Sequence, residues 1–310
     1  MALTLIESAK LALGRDETLK ATVMELFASS SDMLRELPFQ NIPGGSLIFN
    51  REQKLPSVGF RSLNEAYAEG TGEVDRIQEP LFVAGGDIDV DTYFEKTGNF
   101  DQRAAQESMK IKALSLAITK TIVKGDTETN SEEFDGLQVR CIGDQLVNAG
   151  ASSAGDALSL AKLDELYDAV EDPTHWLMNK AMRRRLSAAS RLYTVGGYIT
   201  YTKDEFGRTV TMYNDLPILI ADKDNNYDDI MPFTEACASG SSVGTSIYCL
   251  SFAANGVVGI QNGEMDVRDM GEIDEKPVYR TRVEWLISIA ILRARAAARL
   301  RYIKDAAVAA

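Results

Sequence analysis

The stretch NFDQRAAQESMKIKALSLAITKTIVK, residues Asn99 to Lys124, is the longest unbroken helical pattern in the chain. Met109, Leu114, Ile118 and Ile122 approximate one apolar face, with Ala105 and Ala113 beside it. Asn99 or Asp101 is placed to start the helix, and Gly125 to end it. At a rise of about 1.5 Å per residue such a helix is roughly 35–40 Å long, enough to brace a whole subunit.

Upstream, apolar residues at helical spacing predict a helix over Leu3 to Leu13. Asp16 reads as an N-cap for a stripe of Leu19, Val23, Leu26 and Phe27, broken by Ser29 to Asp32, with a short helical turn over Met33 to Leu37. Pro43-Gly44-Gly45 is turn chemistry. Ser46 to Asn50 and Ser57 to Ser62 read as the two strands of a hairpin with a polar tip at Arg51 to Pro56, and Gly70-Thr71-Gly72 marks its return. With few consecutive apolar residues, this hairpin is expected to project from the body. Arg76 to Val83 and Gly86 to Val90 read as strands.

Downstream, Gly125 to Asp135 is a polar loop. Helices are predicted over Leu158 to Val170 and Asn179 to Arg191, and a hairpin over Tyr198 to Tyr201 and Thr209 to Tyr213 around Lys203 to Gly207. Ile218 to Ala221, Ser246 to Ala253, Val257 to Ile260, Met265 to Arg268 and Val278 to Ile291 read as strands, the last with a helical turn at its end. Ala294 to Ile303 fits helix or strand. Strands and helices mix without regular alternation, which favours α+β over a doubly wound sheet.

The 310 residues are 45% hydrophobic, enough for one large or two moderate domains, and carry a net charge of -13. That balance works against tight nucleic-acid binding, which needs clustered Lys and Arg. No secretory signal pattern opens the chain, and the longest apolar run, Val283 to Leu292, contains Glu284, so no membrane span is expected. Cys141, Cys237 and Cys249 form no CxxC pair and read as reduced, partly buried thiols.

The catalytic inventory is poor. The only histidine, His175, has no partner at a telling spacing and reads as structural, at the start of a strand or turn. Asp87, Asp89 and Asp91 alternate after Gly85-Gly86, so on a strand they share a face; that suits a divalent cation or a solvated strand. Asp222 to Asp229 resembles the start of a calcium loop but has Tyr227 where glycine belongs and Phe233 where the bidentate glutamate belongs, so it reads as a polar surface loop. Gly240 to Ser246 lacks the phosphate-loop lysine and reads as a flexible loop between strands. Two basic clusters, Lys180, Arg183, Arg184 and Arg185, and Arg280, Arg282, Arg293, Arg295, Arg299 and Arg301, fit either DNA contact or ion pairing with a neighbouring subunit. No catalytic, cofactor-binding or metal residue is assigned.

Several phrases in order resemble the Hong Kong 97-type major capsid protein family of tailed phages. Glu79-Pro80-Leu81-Phe82-Val83, then Asp91-Thr92-Tyr93-Phe94, then the long helix, are similar to its E-loop return and spine helix. Phe134-Asp135-Gly136-Leu137 resembles the segment after the spine helix, Asp172 to Asn179 the strand before an apical helix, Tyr213 to Ile218 the strand returning to the sheet, and Tyr279 to Ile303 the closing strands. The resemblance covers nearly the whole chain.

It implies an N-terminal arm over residues 1–40, an E-loop over 41–75, a peripheral domain over 76–140 and 264–310 containing the spine helix 99–124, and an axial domain over 141–263. It further implies a non-enzymatic subunit without cofactors, self-assembling into pentamers and hexamers of an icosahedral phage head. Its partners would be a portal protein, a separate scaffolding protein (none is recognisable at the N-terminus) and a decoration protein. Packaged double-stranded DNA would touch it only weakly, and no membrane is involved. The site would be the virion, after assembly in the host cytoplasm. Arm and hairpin are expected to bury little in their own subunit and to lie across neighbours. Lys54 at the hairpin tip is a candidate for the lysine crosslink of some members, although a solvent-exposed lysine explains it equally. The alternatives are an encapsulin-like nanocompartment shell on the same fold, and a metal-dependent enzyme using Asp87, Asp89 and Asp91.

Overall fold

A computed structural model describes the chain except residues 1, 15–17, 68, 94–101, 192–198, 204–206, 208, 254 and 310. Asp16, Asn99, Asp101, Tyr198 and residues 204–206 of the second hairpin therefore lie outside the described residues.

The helix of 23 residues, Gln102–Lys124, is the central beam. Its buried stripe is Ile111, Ser115, Ile118, Thr119 and Ile122. Met109, expected on that stripe, is exposed. Nine residues separate it from Ile118, two and a half helical turns, which puts the two side chains on opposite sides.

The beam lies on a five-stranded sheet of β1 (Phe39–Asn41), β4 (Phe82–Asp91), β12 (Val257–Gln261), β13 (Asp266–Glu272) and β14 (Val278–Ile291). β2 (Ser46–Lys54) and β3 (Glu73–Pro80) form a separate hairpin. The long β14 pairs with β4 along one edge and with β12 and β13 along the other. It stays a strand to Ile291, without the expected helical turn. Val283, Trp285, Ile287 and Ile289 alternate inward and are buried.

Three N-terminal helices, α1 (Leu5–Leu13), α2 (Thr18–Ser30) and α3 (Asp32–Glu36), cover this core, and the beam is α4. Thr4 and Glu7 close a capping box on α1, and Ser31 caps α3. Phe27 meets Trp285 edge-on with ring centroids 6.0 Å apart, and Phe39 lies 5.1 Å from Trp285. Leu5, Met33, Leu34 and Leu37 are buried in the same cluster. Burial of each such side chain contributes about 1.5–3 kcal/mol. The N-terminal segment is thus not an arm that buries little in its own subunit. A hydroxyl seam fastens it to the beam: Ser30 Oγ donates to Ser115 Oγ (2.9 Å) and Thr119 Oγ1 to Ser31 Oγ (2.7 Å).

The second sheet has eight strands: β5 (Leu146–Asn148), β15 (Ala297–Ile303), β11 (Ser242–Leu250), β6 (His175–Met178), β9 (Leu216–Ile220), β8 (Thr209–Tyr213) and β7 (Ile199–Lys203) in order, with β10 (Glu235–Ala236) beside β11. Its middle strands read as continuous apolar runs because both faces are buried. Leu177, Tyr248 and Leu250 point into the Trp285 core; Trp176, Met178, Ile247 and Cys249 point into a second core. That core is closed by Leu163 and Leu166 of α6 (Leu160–Ala169) and Met182 and Leu186 of α7 (Lys180–Ala189); α5 is the four-residue helix Leu137–Arg140 that follows the beam. The C-terminal strand β15, ambiguous from its arginines, belongs to this sheet by pairing with β11 and β5, whereas β12 belongs to the five-stranded one. The sheets therefore exchange strands across the segment boundaries expected at residues 263 and 264.

Candidate assembly interface

The β2–β3 hairpin is longer than the sequence pattern indicates. Ser57 to Ser62 is not a strand; the return strand is Glu73–Pro80, in register from Ser46 opposite Pro80 to Lys54 opposite Glu73. Arg51 to Lys54 are strand residues, so Lys54 ends a strand and the tip is 55–72.

The hairpin's root is fixed. Leu47 and Phe49 pack on Ile42, Val258, Ile260 and Ala290. Arg140 forms a two-pronged ion pair with Glu79, with Nη2 to Oε2 at 2.8 Å, and its Nε donates to the Asp135 carbonyl (2.7 Å). Both side chains are largely buried. The tip is the opposite case: Leu55, Val58, Phe60, Leu63 and Tyr67 are all at least 69% exposed. It is nevertheless shaped, because Glu65 Oε2 accepts the Ser62 N–H (3.3 Å), Asn64 adopts φ 67°, and the Arg61 guanidinium sits 5.1 Å from the Tyr67 ring centroid. Soluble surfaces rarely expose so large an apolar patch without a partner for it.

The aspartates and one arginine cluster meet each other. Cross-strand register places Arg282 opposite Asp87 and Arg280 opposite Asp89. Each pair is bidentate: Arg282 Nε and Nη2 reach Asp87 at 2.7 and 2.8 Å, and Arg280 Nε and Nη2 both reach Asp89 at 2.7 Å. Hydrogen bonding to Arg282 holds the Asp87 carboxyl below its usual range, and Arg280 does the same for Asp89. Asp91 instead accepts the Tyr93 N–H (2.8 Å). Two carboxylates already clasped by guanidinium groups are not a vacant metal site, and among the described residues no trio of metal-ligating side chains converges.

Most of the other basic residues in these clusters are engaged within the chain as well; Arg183 Nε is buried without a hydrogen-bond partner among the described residues. Arg299 is buried and binds Glu235 (2.9 Å) and Ser246 Oγ (2.9 Å). Arg293 lies 3.3 Å from Asp172, Arg295 donates to the Asp168 carbonyl (2.9 Å), and Arg301 donates to Asn148 (2.9 Å). On α7, Lys180 pairs with Asp222 and Arg185 with Asp305 (2.8 Å). They build no continuous basic face of the kind a phosphate backbone needs.

The Asp222 to Asp229 segment is a polar surface loop, as its sequence suggests, with one buried anchor. Asp224 is buried, accepts the Asn226 and Asp228 N–H groups, and takes Lys120 Nζ of the beam at 2.8 Å. Tyr227, where a calcium loop has glycine, does adopt a left-handed φ of 66°. An ammonium group from α4 thus stands where a cation would be held. Hydrogen bonding to Lys120 lowers the Asp224 carboxyl below its ordinary range.

His175 begins β6, its Nδ1 2.9 Å from Thr174 Oγ1 and its ring against Phe252. Burial, with a smaller contribution from Arg35, pushes its pKa down to about 4, so it is neutral near pH 7. Gly240 to Ser246 is not a flexible loop: Gly240 makes a turn at φ 80° and β11 begins at Ser242, so the following backbone serves the sheet. All three cysteines are free and buried.

Sequence reasoning missed the Glu79–Arg140 pair, the Ser30, Ser31, Ser115 and Thr119 seam and the apolar tip. The tip had a signal: Phe60, Leu63 and Tyr67 recur at helical spacing, yet Gly59 and Gly70 bracket them and no helix forms among the described residues there.

The architecture is similar to that of known shell proteins. The SrpI encapsulin of Synechococcus elongatus PCC 7942 matches at TM-score 0.64 and 20% identity, over 90% of this chain and 89% of that one. The capsid of an empty GTA particle matches at TM-score 0.61 and 16% identity, over 88% and 90%. Microbacterium phage Oxtober96 matches at TM-score 0.61 and 12% identity, over 87% and 90%. No curated protein matches. The chain has the Hong Kong 97-type α+β shell fold. Within that class, the family described as Major capsid protein GP7 matches residues 15–161, a little under half of the chain.

Proposed function

We propose that this chain is the major capsid protein of a tailed double-stranded DNA phage, assembling into pentamers and hexamers that tile an icosahedral head. The single observation that carries this is the hairpin: its root is pinned to the body while its tip offers five large apolar side chains to water. Such a surface becomes stable only against another subunit, and many weak repeats of one contact hold a closed shell together. The family match over residues 15–161 supports the same function.

In this proposal the segments 76–140 and 264–310 form the peripheral domain and 141–263 the axial domain, with β12 and β15 exchanged between the two sheets. The role is structural, not enzymatic. The partners are a portal protein, a separate scaffolding protein and a decoration protein. The net charge of -13 and the engaged arginines suit a wall past which packaged DNA slides. The site of action is the virion, after assembly in the host cytoplasm.

Expression of the chain with and without its candidate scaffold, followed by sedimentation and negative-stain imaging, tests this. Hollow particles tens of nanometres across are expected. A subunit that stays monomeric under every assembly condition refutes it. The likeness to the SrpI encapsulin favours a second function, an encapsulin-like shell around protein cargo. Particles purified from the native source separate the two, by holding DNA or a protein cargo.

A further inference from the structure

In the second sheet β6 and β9 run parallel, in register from Trp176 opposite Ile218 to Met178 opposite Ile220. Their carboxyl ends therefore open at one place. β6 is followed at once by Asn179, the N-cap of α7, and β9 by Ala221 and Asp222. The Ala221 N–H donates to the Met178 carbonyl (3.1 Å) and holds the two exits together. A crevice beyond the carboxyl ends of parallel strands, facing a helix N-terminus, is suited to an anion. Here it is a cleft of about 330 Å³, lined by Lys180, Arg183 and Arg184 of α7 and by Asp222, Lys223 and Asp229 of the facing loop.

The charges of this cleft do not balance. Lys180 pairs with Asp222, and Lys223 lies 3.3 Å from Asp229, so each carboxylate is matched by a lysine. Arg183 and Arg184 meet no carboxylate among the described residues. The Nε of Arg183 is wholly buried and has no hydrogen-bond partner there, a desolvated donor that costs stability unless something accepts from it. The Met182 N–H is taken by Asn179 Oδ1 (2.7 Å) and the Arg183 N–H by the Asn179 carbonyl (3.1 Å). That leaves the Lys180 and Ala181 N–H groups of the first turn for an outside acceptor. Two unmatched guanidinium groups beside free N–H groups suit a compact dianion with several acceptor oxygens, which is the chemistry of a phosphate group. A nucleic-acid backbone would need a row of cations that this surface does not have.

We infer that this cleft binds the phosphate group of a small molecule, either inorganic phosphate or the terminal phosphate of a nucleotide, with Arg183 and Arg184 as its counter-charges. The site does not depend on the shell function proposed above.

Calorimetric titration of the full chain, in the assembly state in which it purifies and in chloride buffer of constant ionic strength, tests this. The titrants are inorganic phosphate, AMP, adenosine and a short DNA duplex. One saturable site per chain for a small phosphate is expected, with adenosine inert. Saturation by both phosphates shows that the phosphate group suffices, and saturation by AMP alone makes the nucleotide the source. Arg183→Gln and Arg184→Gln are each expected to weaken binding about tenfold. Arg185→Gln, on the same helix but paired with Asp305, should leave it unchanged. Absence of saturable binding by either small phosphate, binding by DNA alone, adenosine binding as tightly as AMP, or an affinity unaltered in both glutamine variants overturns the inference. Should Arg183→Gln fail to fold, Arg184→Gln decides, because Arg184 is exposed.

Discussion

Arg140 and Glu79, 61 residues apart, clasp each other through paired N–H···O contacts and join the hairpin's return strand to the segment that follows the beam. The pair helps fix how the hairpin leaves the body, because it sits at the root, where Leu47 opposite Glu79 packs on the core. Removing one partner leaves the other charge largely buried. Arg140→Met is therefore expected to destabilise the subunit by roughly 2–4 kcal/mol in denaturant unfolding. Hydrogen exchange should rise first in β2 and β3. An unchanged unfolding midpoint would show that the pair is dispensable.

The Lys120–Asp224 contact predicts an acid-sensitive clamp between the beam and the second sheet. The folded-state carboxyl titrates below its ordinary value of 3.8, so its contribution is present above that pH and fades as pH falls through the folded value. Asp224→Asn is expected to cost about 1–3 kcal/mol at pH 7. It should also flatten the loss of stability below pH 4, measured as the thermal midpoint against pH in one assembly state.

His175 acts in a higher window. Its pKa falls from 6.5 to about 4 on folding, so between these values the unfolded chain binds the proton and the folded one does not. Stability should decrease as pH drops from about 6.5 to about 4. His175→Phe removes the titrating group while keeping a ring beside Phe252, and should weaken that slope. A variant whose midpoint tracks pH as steeply as the wild type would contradict the assignment.

Gly85 sits in β4 where a Cβ would lie 2.4 Å from the Val283 carbonyl oxygen of β14. That atom is backbone within a ladder, so it cannot move without the strand. Gly85→Ala is expected to cost about 2 kcal/mol or more and to lower soluble yield. Gly44, with nothing within 4 Å of its Cβ position but a φ of 98°, should respond through backbone strain alone.

How far the fold could be read from sequence depended on what holds each element. The beam was legible because its stripe repeats over 23 residues and needs no distant partner. The hairpin's return strand was misplaced because Glu73 to Pro80 carries few apolar residues; it is a strand because β2 lies beside it. Ser57 to Ser62 has a strand-like look but no partner strand. The N-terminal helices were visible as helices, but whether they extend or fold back depends on Trp285 and Phe27, 258 residues apart. β14 and β15 were uncertain at their ends because burial on two faces erases the period. For the candidate interface, the projection of the hairpin was legible. The engagement of Asp87 and Asp89 by Arg282 and Arg280 was not, since those partners are more than 190 residues apart and meet only through strand register.

That register leaves alternating charges closed in pairs across β4 and β14, so this part of the surface is nearly silent electrically. Dissolved ions have little there to screen. Whatever ionic-strength dependence the protein shows must then originate in places where charge is unbalanced, such as the carboxylates of residues 65–73 at the far end of the hairpin. Buffer composition would act on the reach between copies and spare the rigid plate on which each copy is built.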